Sequence, residues 1–128
     1  MRVALRSVWA VILTGGLVQL GNGLQTDLLG VRAGMERFAP LAIGLIMAGY
    51  YVGYSAGPLV SPFVIRALGH TRTIWFAVVV AAAAIALHGV FVTPEAWTLL
   101  RVVSGLAISV NFVAVESWIN DRSENRVR

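Results

Sequence analysis

The sequence predicts an all-α, polytopic membrane protein of four transmembrane helices. Three observations carry that prediction. Of 128 residues, 58% are hydrophobic and only 12% are charged, with a mean hydropathy of +0.79. The apolar residues collect into four stretches of about 20 residues, the length an α-helix needs to cross a bilayer. Backbone inside hydrocarbon must satisfy its own hydrogen bonds, so runs of this length are helices. A soluble bundle needs a polar outer face, and too little polar sequence is present to make one. The absence of cysteine excludes disulfides, thiol nucleophiles and thiolate metal sites.

The first span is predicted over 8–30. It does not read as a cleaved signal peptide: it exceeds the usual apolar core of roughly 7–15 residues and is followed by another span. Val31-Arg32-Ala33 also carries a charge where cleavage needs small side chains. The second span is predicted over 40–65 and the third over 73–92, where IWFAVVVAAAAIALHGVFV is apolar except for His88. The fourth is predicted over 96–119. Connections of about nine, seven and three residues make sequential helices antiparallel and adjacent.

Arginine placement orients the chain. Arg2, Arg6, Arg66, Arg72, Arg122, Arg126 and Arg128 fall on one side of these spans, and Arg32 and Arg37 on the other. The positive-inside rule puts both termini in the cytoplasm of a multi-pass inner (cell) membrane protein. Trp9, Trp75, Trp97 and Trp118 lie near predicted span ends, where indole rings favour the headgroup level. The arginines occur in ones and twos between apolar runs, so the net charge of +4 offers no basic stripe for nucleic acid.

In the second span Gly49, Gly53 and Gly57 recur every four residues and Ser61 continues the row. Small residues at this spacing let another helix approach closely. Packing inside the bundle is the expected use, and a helix outside this chain is the alternative. Pro58 and Pro62 should bend or loosen the inner end, since each removes a backbone donor. Tyr50, Tyr51 and Tyr54 are either structural or reach a polar cavity.

Polar groups concentrate in two spans. Thr14, Gln19, Asn22, Gln25 and Asp27 lie in the first, and Arg101, Ser104, Ser109, Asn111 and Glu116 in the fourth. Polar groups inside a membrane are costly and point to a protein-lined or wet path. The first and fourth helices should therefore face an interior path, and the third should face lipid. At about 100° per residue, Thr14, Gln19, Asn22 and Gln25 share one face and Asp27 falls off it. Arg101, Ser104, Asn111 and Glu116 share another. Asp27 and Arg101 both lie roughly 27 Å from the inner ends of their helices, which makes them a candidate ion pair. Glu116 is expected to act as a latch on Arg66, Arg72 or Arg122. His88 should sit at the interface and His70 in solvent. No carboxylate dyad, HExxH, phosphate-binding glycine loop or serine beside a histidine occurs, so no enzyme, catalytic residue, metal or cofactor is expected.

These residues resemble a known family. GPLVSPFVIRALGHTR, from Gly57 to Arg72, is similar to the loop signature of the major facilitator superfamily, with Gly57, Arg66, Gly69 and Arg72 fitting a lengthened version. Ser61 stands where that signature has an aspartate. LLRVVSGLAISV places Arg101 and Gly105 in the superfamily's R-x-x-x-G pattern. GNGLQTDLLGVRAG, MAGYYVGYSAG and AVESWINDRSEN resemble a YcaD-like subgroup. The resemblance implies a rocking, alternating-access transporter built of two six-helix halves, with this chain forming part of the N-terminal half.

It further implies that the first and fourth helices line the cavity and that the third is peripheral. Arg101 would lie in the coupling or substrate path, and the loop motif would gate between halves. The small-residue row would face the other half. Asn22, Gln25, Asp27, Tyr54, Arg101 and Asn111 are then the substrate-path or coupling candidates. Gly57, Arg66, Gly69, Arg72 and Glu116 are the gating candidates, and Gly49, Gly53, Gly57, Ser61 and Gly105 the packing residues. The expectation is a truncated portion of a secondary active transporter that does not transport alone. Its partners would be the bilayer, a small solute, a proton, and either the remaining helices or a second copy. Two alternatives stay open: a complete small homodimeric drug/proton antiporter, for which Asp27 is the nearest thing to an embedded acid, and a non-transporting membrane assembly protein.

Overall fold

The computed structural model describes residues 2–124, with side chains at 9 and 12–121. Five of the arginines used for orientation, Arg2, Arg6, Arg122, Arg126 and Arg128, lie outside the described side chains. Four helices form: α1 (Arg2–Met35), α2 (Pro40–Leu68), α3 (His70–Leu87) and α4 (Pro94–Glu124). No strand occurs among the described residues. The chain divides into two compact units, residues 1–38 with α1 and residues 39–128 with α2, α3 and α4.

In the first unit, α1 closes with two bonds of a Schellman turn. Phe38 N–H donates to the Ala33 carbonyl and Arg37 N–H to the Gly34 carbonyl, each at 3.1 Å. Arg37 takes φ 57°, the left-handed position that glycine usually fills. Arg32 pairs with Glu36 one turn on, at 3.7 Å.

By length and composition α2, α3 and the stretch Pro94–Asp121 of α4 are apolar enough to cross a membrane. α1 is longer than any of them, but its described residues do not reach the same measure.

In the second unit, α2 starts with Pro40 in its first turn, where a missing N–H costs nothing. The helix continues through Pro58 and Pro62 to Leu68. Ser61 Oγ donates to the Gly57 carbonyl at 2.6 Å, so its hydroxyl is satisfied within the helix. The expected seven-residue connection to α3 shrinks to Gly69 alone. Arg66 lies in the last turn of α2, and Arg72 in the first turn of α3. Gly69 makes this possible with φ 79° and ψ 165°, a region that is essentially glycine-only. Its N–H donates to the Ile65 carbonyl at 2.8 Å, and its carbonyl accepts from Thr73 N–H at 3.1 Å and Thr73 Oγ1 at 2.7 Å.

α3 ends at Leu87, earlier than the predicted 92, and residues 88–93 link it to α4. The start of α4 is specified locally. Thr93 Oγ1 accepts from Ala96 N–H at 3.2 Å, Pro94 follows the cap, and Glu95 complements the positive end of the helix.

α4 packs against both α2 and α3, whereas α2 and α3 touch each other little. The expectation that sequential helices are neighbours therefore fails for this pair. The cause is glycine. A Cβ at Gly49 would stand 2.9 Å from the Thr98 carbonyl, and one at Gly53 would overlap the Val102 carbonyl. At Gly57 it would overlap the Ser109 side chain, and at Gly105, from the other side, the Tyr50 carbonyl. Hydrogen in place of methyl lets the two backbones cross in contact, gaining dispersion that lipid cannot supply. The row thus faces α4 of the same chain, as bundle packing predicted. It is not turned toward a second half, as the family resemblance implied.

Candidate functional site

Arg101 is the most buried ionisable side chain described, at 1% exposure. It sits two turns into α4, four residues before Gly105. The glycine crossing brings Tyr50 to it, with the Arg101 guanidinium carbon 4.6 Å from the ring centroid. A desolvated cation over a tyrosine face gains about 2 kcal/mol. Tyr50 is itself buried, stacks on Tyr54 at 5.9 Å and meets Tyr51 edge-on at 5.5 Å. The sequence leaves the roles of Tyr50, Tyr51 and Tyr54 undivided. Burial separates them: Tyr50 is enclosed at the crossing, Tyr54 one turn on lies at its edge at 39% exposure, and Tyr51 is turned outward.

Along the rest of α4, Ser104 is fully buried and its Oγ donates to the Arg101 carbonyl at 3.1 Å. Ser109 is buried against Gly57. Asn111 is half-buried, with Oδ1 enclosed and without a hydrogen-bond partner. The polar residues of α4 thus divide, some into the α2 crossing and Asn111 beyond it.

In the first unit, Asn22 and Gln25 are half-buried, and both amide atoms of Gln25 lack a hydrogen-bond partner. Asp27 is exposed. Thr14 and Gln19, expected on the same face as Asn22 and Gln25, are exposed like Asp27, so only the two amides Asn22 and Gln25 are set apart by burial. Asp27 and Arg101 belong to different units, and within its own unit Arg101 already lies against Tyr50.

The two histidines depart from expectation. His88 is buried, not at an interface, because it caps α3: its Nδ1 donates to the Ala84 carbonyl at 2.7 Å. Trp97 Nε1 donates to the His88 carbonyl at 3.1 Å, and the two rings lie 5.9 Å apart. Trp97 is fully buried, so it is no headgroup anchor, unlike the exposed Trp9 and Trp75. His88 lies outside the membrane-spanning helices, and burial pushes its imidazole below the ordinary histidine range, with the Arg101 charge adding to the effect. At the other end of α3, His70 is not merely solvated but contacts Ser117 and Asp121. Glu116 is exposed and forms no ion pair with Arg66 or Arg72, both also exposed. A Glu116–Arg122 pair falls outside the described side chains, and the polar contacts described at this end come instead from His70, which the one-residue link places at the start of α3. Sequence spacing carried no signal for this.

Against known proteins, no family model matches the chain and no solved structure matches it. Curated relatives do. The chain is 26% identical over 114 residues to proteins named "Uncharacterized MFS-type transporter YcaD" from Escherichia coli O45:K1 (strain S88 / ExPEC) and O81 (strain ED1a). The same figures hold for the relative from Escherichia coli O139:H28 (strain E24377A / ETEC). This chain is similar to major facilitator transporters. The match covers 88% of this chain but 30% of each relative. With the apolar helices, the likeness to MFS-type proteins marks a transporter-like membrane protein, and the relatives' names are those of transporters, not enzymes.

Proposed function

We propose that this chain supplies one portion of a secondary active transporter, moving a small solute across a bacterial inner membrane by alternating access coupled to protons. The observation that carries the reading is the extent of the likeness: nearly the whole chain aligns, yet with under a third of the relatives' length. Alternating access requires two walls that rock about a central site, and four helices supply part of one. The chain therefore does not transport alone. Both termini face the cytoplasm, in keeping with the arginine bias.

In this reading Arg101 lies in the coupling path, held by Tyr50 until a competing anion or proton transfer changes its surroundings. Asn22, Gln25, Asp27, Tyr54 and Asn111 supply polar contacts along the path. Gly57, Arg66, Gly69, Arg72 and Glu116 serve the inner gate. The test is the reading frame beyond codon 128 and the size of the native membrane product. An in-frame continuation encoding about eight further spans is expected. A native product of 13.7 kDa that cross-links as a defined dimer contradicts the reading and favours a small homodimeric antiporter.

A further inference from the structure

The start of α3 and the end of α4 meet through one imidazole. His70 Nε2 lies 3.0 Å from Ser117 Oγ and 3.5 Å from Asp121 Oδ2. Ser117 and Asp121 are four residues apart, so one turn of α4 presents both oxygens to the ring. The His70 side chain is 28% exposed and that of Asp121 63%. The other charged side chains described at this end are Arg66 on α2, Arg72 on α3 and Glu116 on α4, all exposed, and none is ion-paired with His70.

A single nitrogen facing two oxygens makes the contact depend on protonation. A neutral ring with a bare Nε2 accepts the Ser117 hydroxyl and turns its lone pair toward the carboxylate. A neutral ring carrying Nε2–H serves one oxygen and brings no net charge. The protonated ring donates from Nε2 and sets a full positive charge against Asp121, the stronger arrangement. The residue before His70 is Gly69, the whole α2–α3 connection, and α2 and α3 touch little. α3 also packs along α4, with Thr73 and Ala77 buried, so the His70 contacts act at the end of an existing helix–helix seam.

We propose that His70 is a proton-operated clasp that closes the start of α3 onto Ser117 and Asp121 of α4 and loosens when it loses its proton. The device needs only residues of this chain and is independent of what the protein carries.

The chain has no cysteine, so nitroxide labels can be placed at the exposed positions Thr71→Cys and Asn120→Cys, with the full chain in lipid nanodiscs. Dipolar broadening is expected to increase between pH 8 and pH 5.5, the ratio of close to separated forms rising roughly two- to fivefold, as for a partly exposed ion pair. His70→Gln, which keeps a hydrogen-bonding group without the charge, and Asp121→Asn are both expected to abolish the pH response. Asp121 is exposed, so Asp121→Asn keeps the test open if His70→Gln does not fold. Broadening that is independent of pH in the parent, or a pH response that survives in either variant, overturns the proposal.

Discussion

Gly44 and Gly53 sit on the same helix and in the same backbone conformation, yet a methyl group means opposite things at the two positions. At Gly44 it would meet nothing within 4 Å, whereas at Gly53 it would enter the Val102 carbonyl and approach Leu106 N at 2.8 Å. Backbone atoms cannot swing aside as a side-chain tip can. Gly53→Ala is therefore expected to destabilise by about 1–3 kcal/mol, the range for overpacking a fitted core. Gly44→Ala is expected to be neutral or to stabilise by up to ~1 kcal/mol, because alanine favours helix. Thermal unfolding followed by helical circular dichroism in detergent separates the two signs. The same crossing places Tyr50 under Arg101, so the buried charge depends on glycines that never touch it.

Helix existence, the start of α4 and the small-residue row were legible because each rests on local chemistry: apolar length, the Thr93-Pro94-Glu95 opening and four-residue spacing. Two features were not. Apolar residues carry α2 past Pro62 to Leu68, and only Gly69 separates it from α3, so a stretch that looked like a loop is almost entirely helix. The depth of α4 between α2 and α3 was also hidden, since it depends on Gly105 meeting the Gly53 row, a pairing that spacing alone does not show. Gly69 offers a clean test at this scale. Its Cβ would meet nothing within 4 Å, so any cost of Gly69→Ala is backbone conformation alone. A loss of about 1–3 kcal/mol is expected from forcing alanine into φ 79° and ψ 165°. The same unfolding measurement detects it, with Gly44→Ala as the unstrained control.

At the largest scale, α3 is the least buried of the three apolar helices of the second unit. Its Trp75, Phe76, Val79 and Ile85 are exposed, and only Thr73, Ala77 and Ala84 are buried. α4 carries the buried arginine and joins the two helices it packs against. This distribution suits one wall of a larger transporter, with the chain matching 30% of the length of its MFS-type relatives. On the proposed reading, the 128 residues hold part of a transport path and do not transport alone. Proteoliposomes containing only this chain, loaded with a pH-sensitive dye and offered sugars, amino acids, organic anions and cationic drugs under an imposed proton gradient, test it most directly. No solute is expected to change the decay of the gradient relative to protein-free liposomes. Solute-dependent proton flux that disappears in Arg101→Gln would contradict it.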